Sequence, residues 1–279
     1  MPTDLYPIIK ASPIIPSHDR YYWGYQYRLA RTTLVPQLVA DGGFRAGFAV
    51  AEIGCAEGGV LAAFVQAGAS KALGTDIEQH RLDGGARIAA LCKEHLAVPL
   101  EFSAHDVLFD EPLADWRSAF DLVILRDVLE HLNDPVLALR NIKKLLKPNG
   151  YVFVEFPPYT SPFGGHQHLL QNTWGKLPYM HLLPDALFQP MTNSGLHPAN
   201  IEEVRRLRHV RLTPHKFLNA SREAGYTLLH ERYYLLRPVF KMKFGLPTVP
   251  LTSVKWLPGV KSVLSLEANY LLRAEDIPQ

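Results

Sequence analysis

The sequence predicts an α/β chain with a doubly wound, mostly parallel sheet, and three observations carry that expectation. From Phe48 to about Glu155, short apolar runs alternate with amphipathic stretches. Each apolar run ends at turn chemistry or at a charge, as buried strands do. The first run closes on the glycine-rich turn Gly54-Cys55-Ala56-Glu57-Gly58-Gly59, which opens directly into a helix. Strands separated by helices imply a parallel sheet covered on both faces.

Taken in order, FAVAEI (48–53), KALGTD (71–76), VPLEFSA (98–104), AFDLVILR (119–126) and YVFVEF (151–156) are the five expected strands. Between them, GGVLAAFVQAGA (58–69), IEQHRLDGGARIAALCKEHL (77–96) and DPVLALRNIKKLLKPNG (134–150) read as helices. The last has Asp134 as its cap, Pro135 in the first turn and Asn149-Gly150 as its stop. After Phe156 the pattern changes to a proline- and histidine-rich stretch with no clear period, which suits a lid or binding insertion. Periodicity returns with the helix PHKFLNASREAG (214–225), the strand YTLLHERYYLL (226–236) and a closing strand, LEANYLLRA (266–274). Four regions follow: an N-terminal aromatic cap (1–47), a ligand-binding core (48–156), an insertion (157–213), and the completion of the sheet with a C-terminal extension (214–279).

Composition narrows the class of protein. In 279 residues, 29 Lys and Arg nearly balance 27 Asp and Glu, so the formal charge of +2 gives no field of the kind a dedicated nucleic-acid binder carries. The two cysteines, Cys55 and Cys92, make neither a disulfide framework nor a zinc cluster, which points to a reducing compartment. The proline-spaced N-terminus lacks the apolar core of a signal peptide, and no apolar run approaches a membrane span. The expectation is a cytoplasmic protein.

The glycine-rich turn lets a ligand approach the backbone at the positive end of a helix. Gly54, Ala56 and Gly59 also fit the spacing of dinucleotide-binding turns, so the acid before them matters more. Glu52 stands two residues before the first glycine, where a nicotinamide-binding turn has an apolar residue, and a carboxylate there suits a cationic ammonium. Asp76 ends the second strand about 20 residues past the turn, where an acid accepts hydrogen bonds from ribose hydroxyls. Asp106 follows the third strand, and with its apolar neighbour Val107 it is placed to hold an adenine edge.

The succession EIGCAEGG, GTDIEQ, HDV, FDLVILRDVLEHLNDP and LLKPNGYVFVEFPP resembles the class I S-adenosylmethionine-dependent methyltransferases. Within them it is most similar to the branch of ubiquinone-pathway O-methyltransferases and bacterial methyltransferases of glycans and secondary metabolites. The resemblance implies a Rossmann-like sheet of seven strands with the last antiparallel. It also implies S-adenosylmethionine over the carboxyl ends of the strands, touching Glu52, Gly54, Cys55, Ala56, Gly58, Asp76, Ile77, Asp106, Val107 and Arg126. Ala56 stands where the family often has glycine.

Methyl transfer is an in-line displacement, so the protein must position the nucleophile and remove its proton. In FPPYTSPFGGHQHLL, His166 and His168 sit on a loop shaped by proline and by Gly164-Gly165, leaving the fifth strand at the ligand edge of the sheet. His166 is the preferred base, aimed by the glycine pair, and His168 points into the apolar HLLQ segment. His131 in DVLEHL is the next candidate. In relatives an acid-x-x-Glu-His pattern binds a divalent ion, which here would involve Asp127, Glu130, His131 and His166. The shorter Asp127 departs from that pattern, so activity is expected to survive chelation.

Three further segments have plain structural readings beside functional ones. Arg205, Arg206, Arg208 and Arg211 suit a phosphate clamp or, more simply, a solvated helix face. DRYYWGYQYRLAR suits sugar rings or a cap over the sheet. RPVFKMKFGLPTVPLTSVKWLPGVKSV suits a weak membrane-surface contact, an interface or a packed extension. The expected function is O-methylation of a sugar or of a glycosylated or hydroxylated small molecule, with a glycan or small-molecule acceptor as partner and nucleic acid disfavoured. RNA ribose 2′-O-methylation and non-catalytic S-adenosylmethionine binding are the alternatives.

Overall fold

The computed structural model describes residues 2–251 and 258–275. Five parallel strands form in the predicted order: β1 (Ala49–Ile53), β2 (Lys71–Asp76), β3 (Leu100–Ala104), β4 (Phe120–Arg126) and β5 (Leu146–Phe156). They are completed by β6 (Tyr226–Leu236), β7 (Val249–Pro250) and β8 (Glu267–Ala274). The sheet order is β3-β2-β1-β4-β5-β8-β6-β7. β8 runs antiparallel to both of its neighbours, β5 and β6. The expected count of seven strands is corrected to eight, because Val249 and Pro250 pair with Leu236 and Tyr234 to add a short antiparallel edge. A two-residue strand containing proline leaves no periodicity to read and is tolerated only at an edge.

Alternate residues of the central strands feed two cores. Val50, Leu122, Ile124 and Phe153 face the helices Ser17–Leu29, Gly59–Gln66 and Gln79–Cys92. Ala51, Val123, Leu125, Val152 and Val154 face the helices Pro135–Lys143 and Pro214–Glu223. Burial on both faces explains why these strands read as continuous apolar runs.

The helix after β4 begins as predicted, with Asp134 accepting the N–H of Leu137 at 2.9 Å and Pro135 at its first position. It ends at Lys143, however, and Asn149-Gly150 is not its stop. Those residues lie within β5, where the register against β4 shifts and Asn149 takes a left-handed φ of 58°. Pro148 cannot continue a helix, and the chain loops out before regular pairing resumes at Tyr151.

The insertion is more regular than its sequence suggests. It contains the helices Asp185–Asn193 and Pro198–Val210, preceded by short 3₁₀ turns, and buries its own small core of Leu170, Met180, Phe188 and Val204. Pro190 inside the first helix and the exposed Leu187 and Leu196 hide the helical period.

The N-terminal aromatics form a cap. Trp23 and Tyr27 stack with ring centroids 4.8 Å apart and are buried against the helix Gly59–Gln66. The approach is close enough that a Cβ on Gly59 would meet the Trp23 carbonyl at 2.8 Å. No helix among the described residues is long and apolar enough to cross a membrane.

Candidate active site

The carboxyl ends of β1, β2 and β4 converge on the glycine-rich turn. Gly54 has a φ of +70°, and a Cβ there would lie 2.4 Å from Val128 Cγ2. Its N–H donates to the Thr75 carbonyl at 2.7 Å, fixing the turn against β2. Ala56 has a φ of 48°, so the position where relatives carry glycine keeps the left-handed backbone that glycine adopts without strain. The Ala56 N–H donates to Asp76 Oδ2 at 2.9 Å, and Asp76 Oδ1 accepts the N–H of Glu78 at 3.0 Å. Asp76 therefore shapes the turn as well as facing the ligand edge.

Glu52 is buried, and its Oε2 has no hydrogen-bond partner among the described residues. Burial pushes its pKa up to about 8, against the pull of Arg126. An orphaned carboxyl beside an open glycine turn fits the ammonium of a methionine moiety, which would replace the missing solvation. Cys55 is buried in the same turn, Val107 is buried in the turn after β3, and Ile77 is 72% exposed, an apolar face left bare at the end of β2. Asp106 accepts the Leu108 N–H at 2.9 Å, closing the turn after β3.

Arg126 is otherwise engaged. Its guanidinium pairs with Glu155 at 2.8 Å and donates to Gln26 on the aromatic cap. Next to it, Arg237 donates to both oxygens of Asp127 at 2.8 Å and to Glu267 at 2.9 Å, and reaches Glu155 at 3.3 Å. Burial works to raise the Asp127 carboxyl, but Arg237 and Arg126 outweigh it and hold the group below the ordinary carboxylate range. Sequence reasoning missed Glu155, Glu267, Arg237 and Gln26. The single acid inside the apolar strand YVFVEF was the available signal.

The DVLEHL turn and the loop histidine do come together. Glu130 Oε1 lies 3.7 Å from His131 Nε2 and 3.9 Å from His166 Nε2. One ligand atom from each of the three residues lies within 4.8 Å of the others. Both Glu130 oxygens are buried without hydrogen-bond partners among the described residues, and burial raises that carboxyl above its usual range. His131 Nδ1 is held by Glu203, on the helix Pro198–Val210. Burial lowers the His131 pKa, but Glu130 and Glu203 reverse this and leave the imidazole more basic than usual. An imidazole anchored by a carboxylate at one nitrogen, with the other facing a carboxylate and a second imidazole, fits a divalent cation. Asp127 is not among the converging atoms, because Arg237 holds it.

His166 itself takes a left-handed φ of 49°, whereas Gly164 and Gly165 do not. Gly164 and Gly165 are needed for a different reason: a Cβ on Gly164 would meet the Pro158 carbonyl at 1.9 Å, and one on Gly165 would meet the His181 side chain at 2.4 Å. Burial, reinforced by His131, pushes the His166 pKa down to about 3. His168 does not enter the apolar segment. It is exposed at the insertion surface and lines a cavity of about 450 Å³ with His166, Arg237 and Lys243. Phe163, Phe240 and Phe244 supply apolar walls.

The arginine cluster is largely structural. Arg208 donates to the Leu183 carbonyl at 2.8 Å and to Asp185 at 2.7 Å, Arg206 pairs with Glu203, and Arg205 bonds Asn193. Of the basic-apolar C-terminal stretch, 252–257 lies outside the described residues. Its first part, the helix Pro238–Phe244, packs on the aromatic cap through Phe240.

Residues 51–152 match a family model described as a methyltransferase domain. Among curated proteins, the chain is similar to a ubiquinone biosynthesis O-methyltransferase of Chromobacterium violaceum, at 32% identity over 39% of this chain and 44% of that protein. It is also similar to a tRNA U34 carboxymethyltransferase of Campylobacter curvus, at 28% identity over 55% of this chain and 48% of that protein. The chain thus spans less than half the length of these two relatives. Among solved structures, the trans-methyltransferase CalH in complex with SAH superposes with a TM-score of 0.53 at 17% identity, over 98% of this chain and 62% of that one. At that identity the likeness is one of fold.

Proposed function

The chain carries a class I S-adenosylmethionine-dependent methyltransferase domain, and from it we propose that the protein transfers a methyl group to a hydroxyl oxygen of a small-molecule or glycan acceptor. The observation that carries this reading is the convergence of Glu130, His131 and His166 beside the carboxyl ends of β1 and β4. A hydroxyl is a poor nucleophile until its proton is removed, and these three groups are where the chain can remove it. Two of the curated relatives named as O-methyltransferases agree with an oxygen acceptor.

S-adenosylmethionine, when bound, supplies an electrophilic methyl group on its sulfonium. The residues of this chain do the rest. Glu52 would neutralise the ammonium, and the Gly54–Gly58 turn would admit the amino-acid portion. Glu203 holds His131 Nδ1, which leaves Nε2 as the lone pair that accepts the hydroxyl proton. His166, neutral by burial, orients the hydroxyl without competing for the proton. A second reading rests on the unpartnered Glu130 oxygens: a divalent cation held by Glu130, His131 and His166 would lower the pKa of the hydroxyl instead. RNA ribose methylation is less favoured, because Arg206 and Arg208 are satisfied by the chain's own acids.

The test is turnover of S-adenosylmethionine with hydroxylated acceptors before and after dialysis against EDTA. Activity surviving EDTA assigns the proton to His131. Loss of activity restored by magnesium or manganese assigns the three side chains to a cation. Absence of methyl transfer to any hydroxylated acceptor, with S-adenosylhomocysteine still bound, would refute O-methylation.

A further inference from the structure

The cavity beside the histidines has an uneven charge. Two cations line it, Arg237 and Lys243, but they are not equivalent. Arg237 is satisfied by Asp127, Glu155 and Glu267. Lys243 makes no hydrogen bond or ion pair among the described residues, and its Nζ stands 4.1 Å from the centroid of the Tyr25 ring. It is half-buried, and burial followed by the nearby Arg237 lowers its pKa against the weaker opposing pull of Asp127, so the ammonium is held where water solvates it poorly and no acid among the described residues pairs with it directly. Desolvating a cation without a partner is costly, and a chain that does so keeps a place for an anion. Phe163, Phe240 and Phe244 supply aromatic walls beside Pro157, Ser161 and Leu266, with Phe244 64% exposed at the rim. A neutral sugar would leave the lysine without a counter-ion.

Resting on the methyltransferase reading of the same site, we propose that Lys243 is a specificity-determining residue that receives an anionic group of the acceptor, a carboxylate or a phosphate, while the acceptor's apolar or aromatic body packs among Phe163, Phe240 and Phe244. The acceptor is thus an acidic, partly apolar hydroxyl compound. Arg237 takes no part in this, because moving it would strand Asp127 and the buried Glu267. Tyr25 holds the lysine in place through its ring face, which carries a selectivity requirement from the aromatic cap into the acceptor cavity.

The experiment measures binding to the full chain saturated with S-adenosylhomocysteine, using benzoate, phenyl phosphate and neutral methyl benzoate as probes. Calorimetry of S-adenosylhomocysteine alone is run first. If that ligand fails to bind, the methyltransferase reading itself is at fault, whatever the probes do. With it bound, one of the two anions should bind at least tenfold tighter than methyl benzoate. Tighter binding of benzoate identifies a carboxylate acceptor, and tighter binding of phenyl phosphate a phosphorylated one. Lys243→Met should weaken the preferred anion by about tenfold to a hundredfold and leave methyl benzoate and S-adenosylhomocysteine unchanged, whereas Lys243→Arg should retain most of the preference. Equal binding of charged and neutral probes, or undiminished anion binding in Lys243→Met, would overturn the proposal.

Discussion

The cofactor half of the molecule and the acceptor side are built by different means. Residues 48–156 form their site from neighbours in sequence: Glu52, Gly54 and Ala56 lie within one turn of each other, and Asp76 reaches that turn across a single parallel pairing. The acceptor side is assembled from pieces far apart in the chain. Gln26, Arg126, Glu155 and Arg237 meet in one buried network, and Glu203 reaches back 72 residues to hold His131. Local chemistry specifies the first region and tertiary packing the second, so a single substitution should act locally in one and spread in the other.

The sharpest way to break the first region is Gly54→Val. The left-handed φ and the 2.4 Å contact with Val128 leave no room for a branched side chain, so S-adenosylhomocysteine binding should be lost. Calorimetry reads this directly, with a thermal melt to confirm that the variant remains folded. Undiminished affinity would mean that the turn does not form the cofactor site.

On the acceptor side, His131→Ala should lower kcat by roughly 10²-fold to 10⁴-fold with cofactor affinity nearly unchanged, the usual contribution of a general base. The pH dependence follows from sign. A base must be unprotonated, so kcat/KM should fall as pH drops through the His131 pKa, which its acidic partners place above 6.5. Glu203→Gln should move that acidic limb downward, a change that a purely structural role for Glu203 would not produce. A limb that stays in place sinks the pairing as a mechanistic element.

Arg237→Met tests whether damage spreads. It removes the cation from Asp127 and from the buried Glu267 while Glu155 keeps Arg126, and breaking the buried pair with Glu267 costs about 3–5 kcal/mol. In the wild type the folded-state pKa of Asp127 is depressed, so its stabilisation is present above the unfolded value and lost as the pH falls through the folded one. In the variant the deficit should instead shrink as the pH falls toward 5, because protonation relieves the stranded acids. Urea titrations at two pH values distinguish these behaviours.

How much could be read in advance follows the same division. The five parallel strands, the capped helix at Asp134 and the turn were legible because their periodicities and end signals are local. Glu130, His131 and His166 were legible as residues, but the diversion of Asp127 to Arg237 was not, since 110 residues separate the two. Glu203 lay unnoticed in an arginine-rich helix, where sequence spacing alone does not show which acid turns inward. Lys243 offered no signal, because an unpaired lysine is distinguishable from a solvated one only by what surrounds it.

Glu52→Gln is a smaller and more local test. The carboxyl is largely protonated at pH 7, with a pKa near 8, and must ionise to pair with the ligand ammonium. Cofactor binding at pH 7 should therefore release close to one proton and strengthen as the pH rises toward 8. In the variant the release disappears and affinity falls by about tenfold to a hundredfold. Calorimetry in two buffers of different ionisation enthalpy counts the proton, and an unchanged count in Glu52→Gln would remove Glu52 from the ammonium site.

The gentlest change is Ala56→Gly, and it tests whether the turn is fixed by backbone conformation alone. Ala56 holds a φ of 48°, where its Cβ crowds the following carbonyl at a cost of roughly 1–2 kcal/mol. Glycine removes that strain but adds freedom to the unfolded chain worth roughly 0.5–1 kcal/mol, so the second effect cancels about half of the first and leaves a net gain of about 0.5–1 kcal/mol. For a chain of this size that corresponds to a rise in Tm of about 1–4 °C. The N–H that donates to Asp76 is kept, so the turn and S-adenosylhomocysteine affinity should stay as they were. A lower Tm with weaker cofactor binding would show that the Ala56 methyl group itself packs against the ligand, and the turn would then depend on side-chain contacts in the way the acceptor side does.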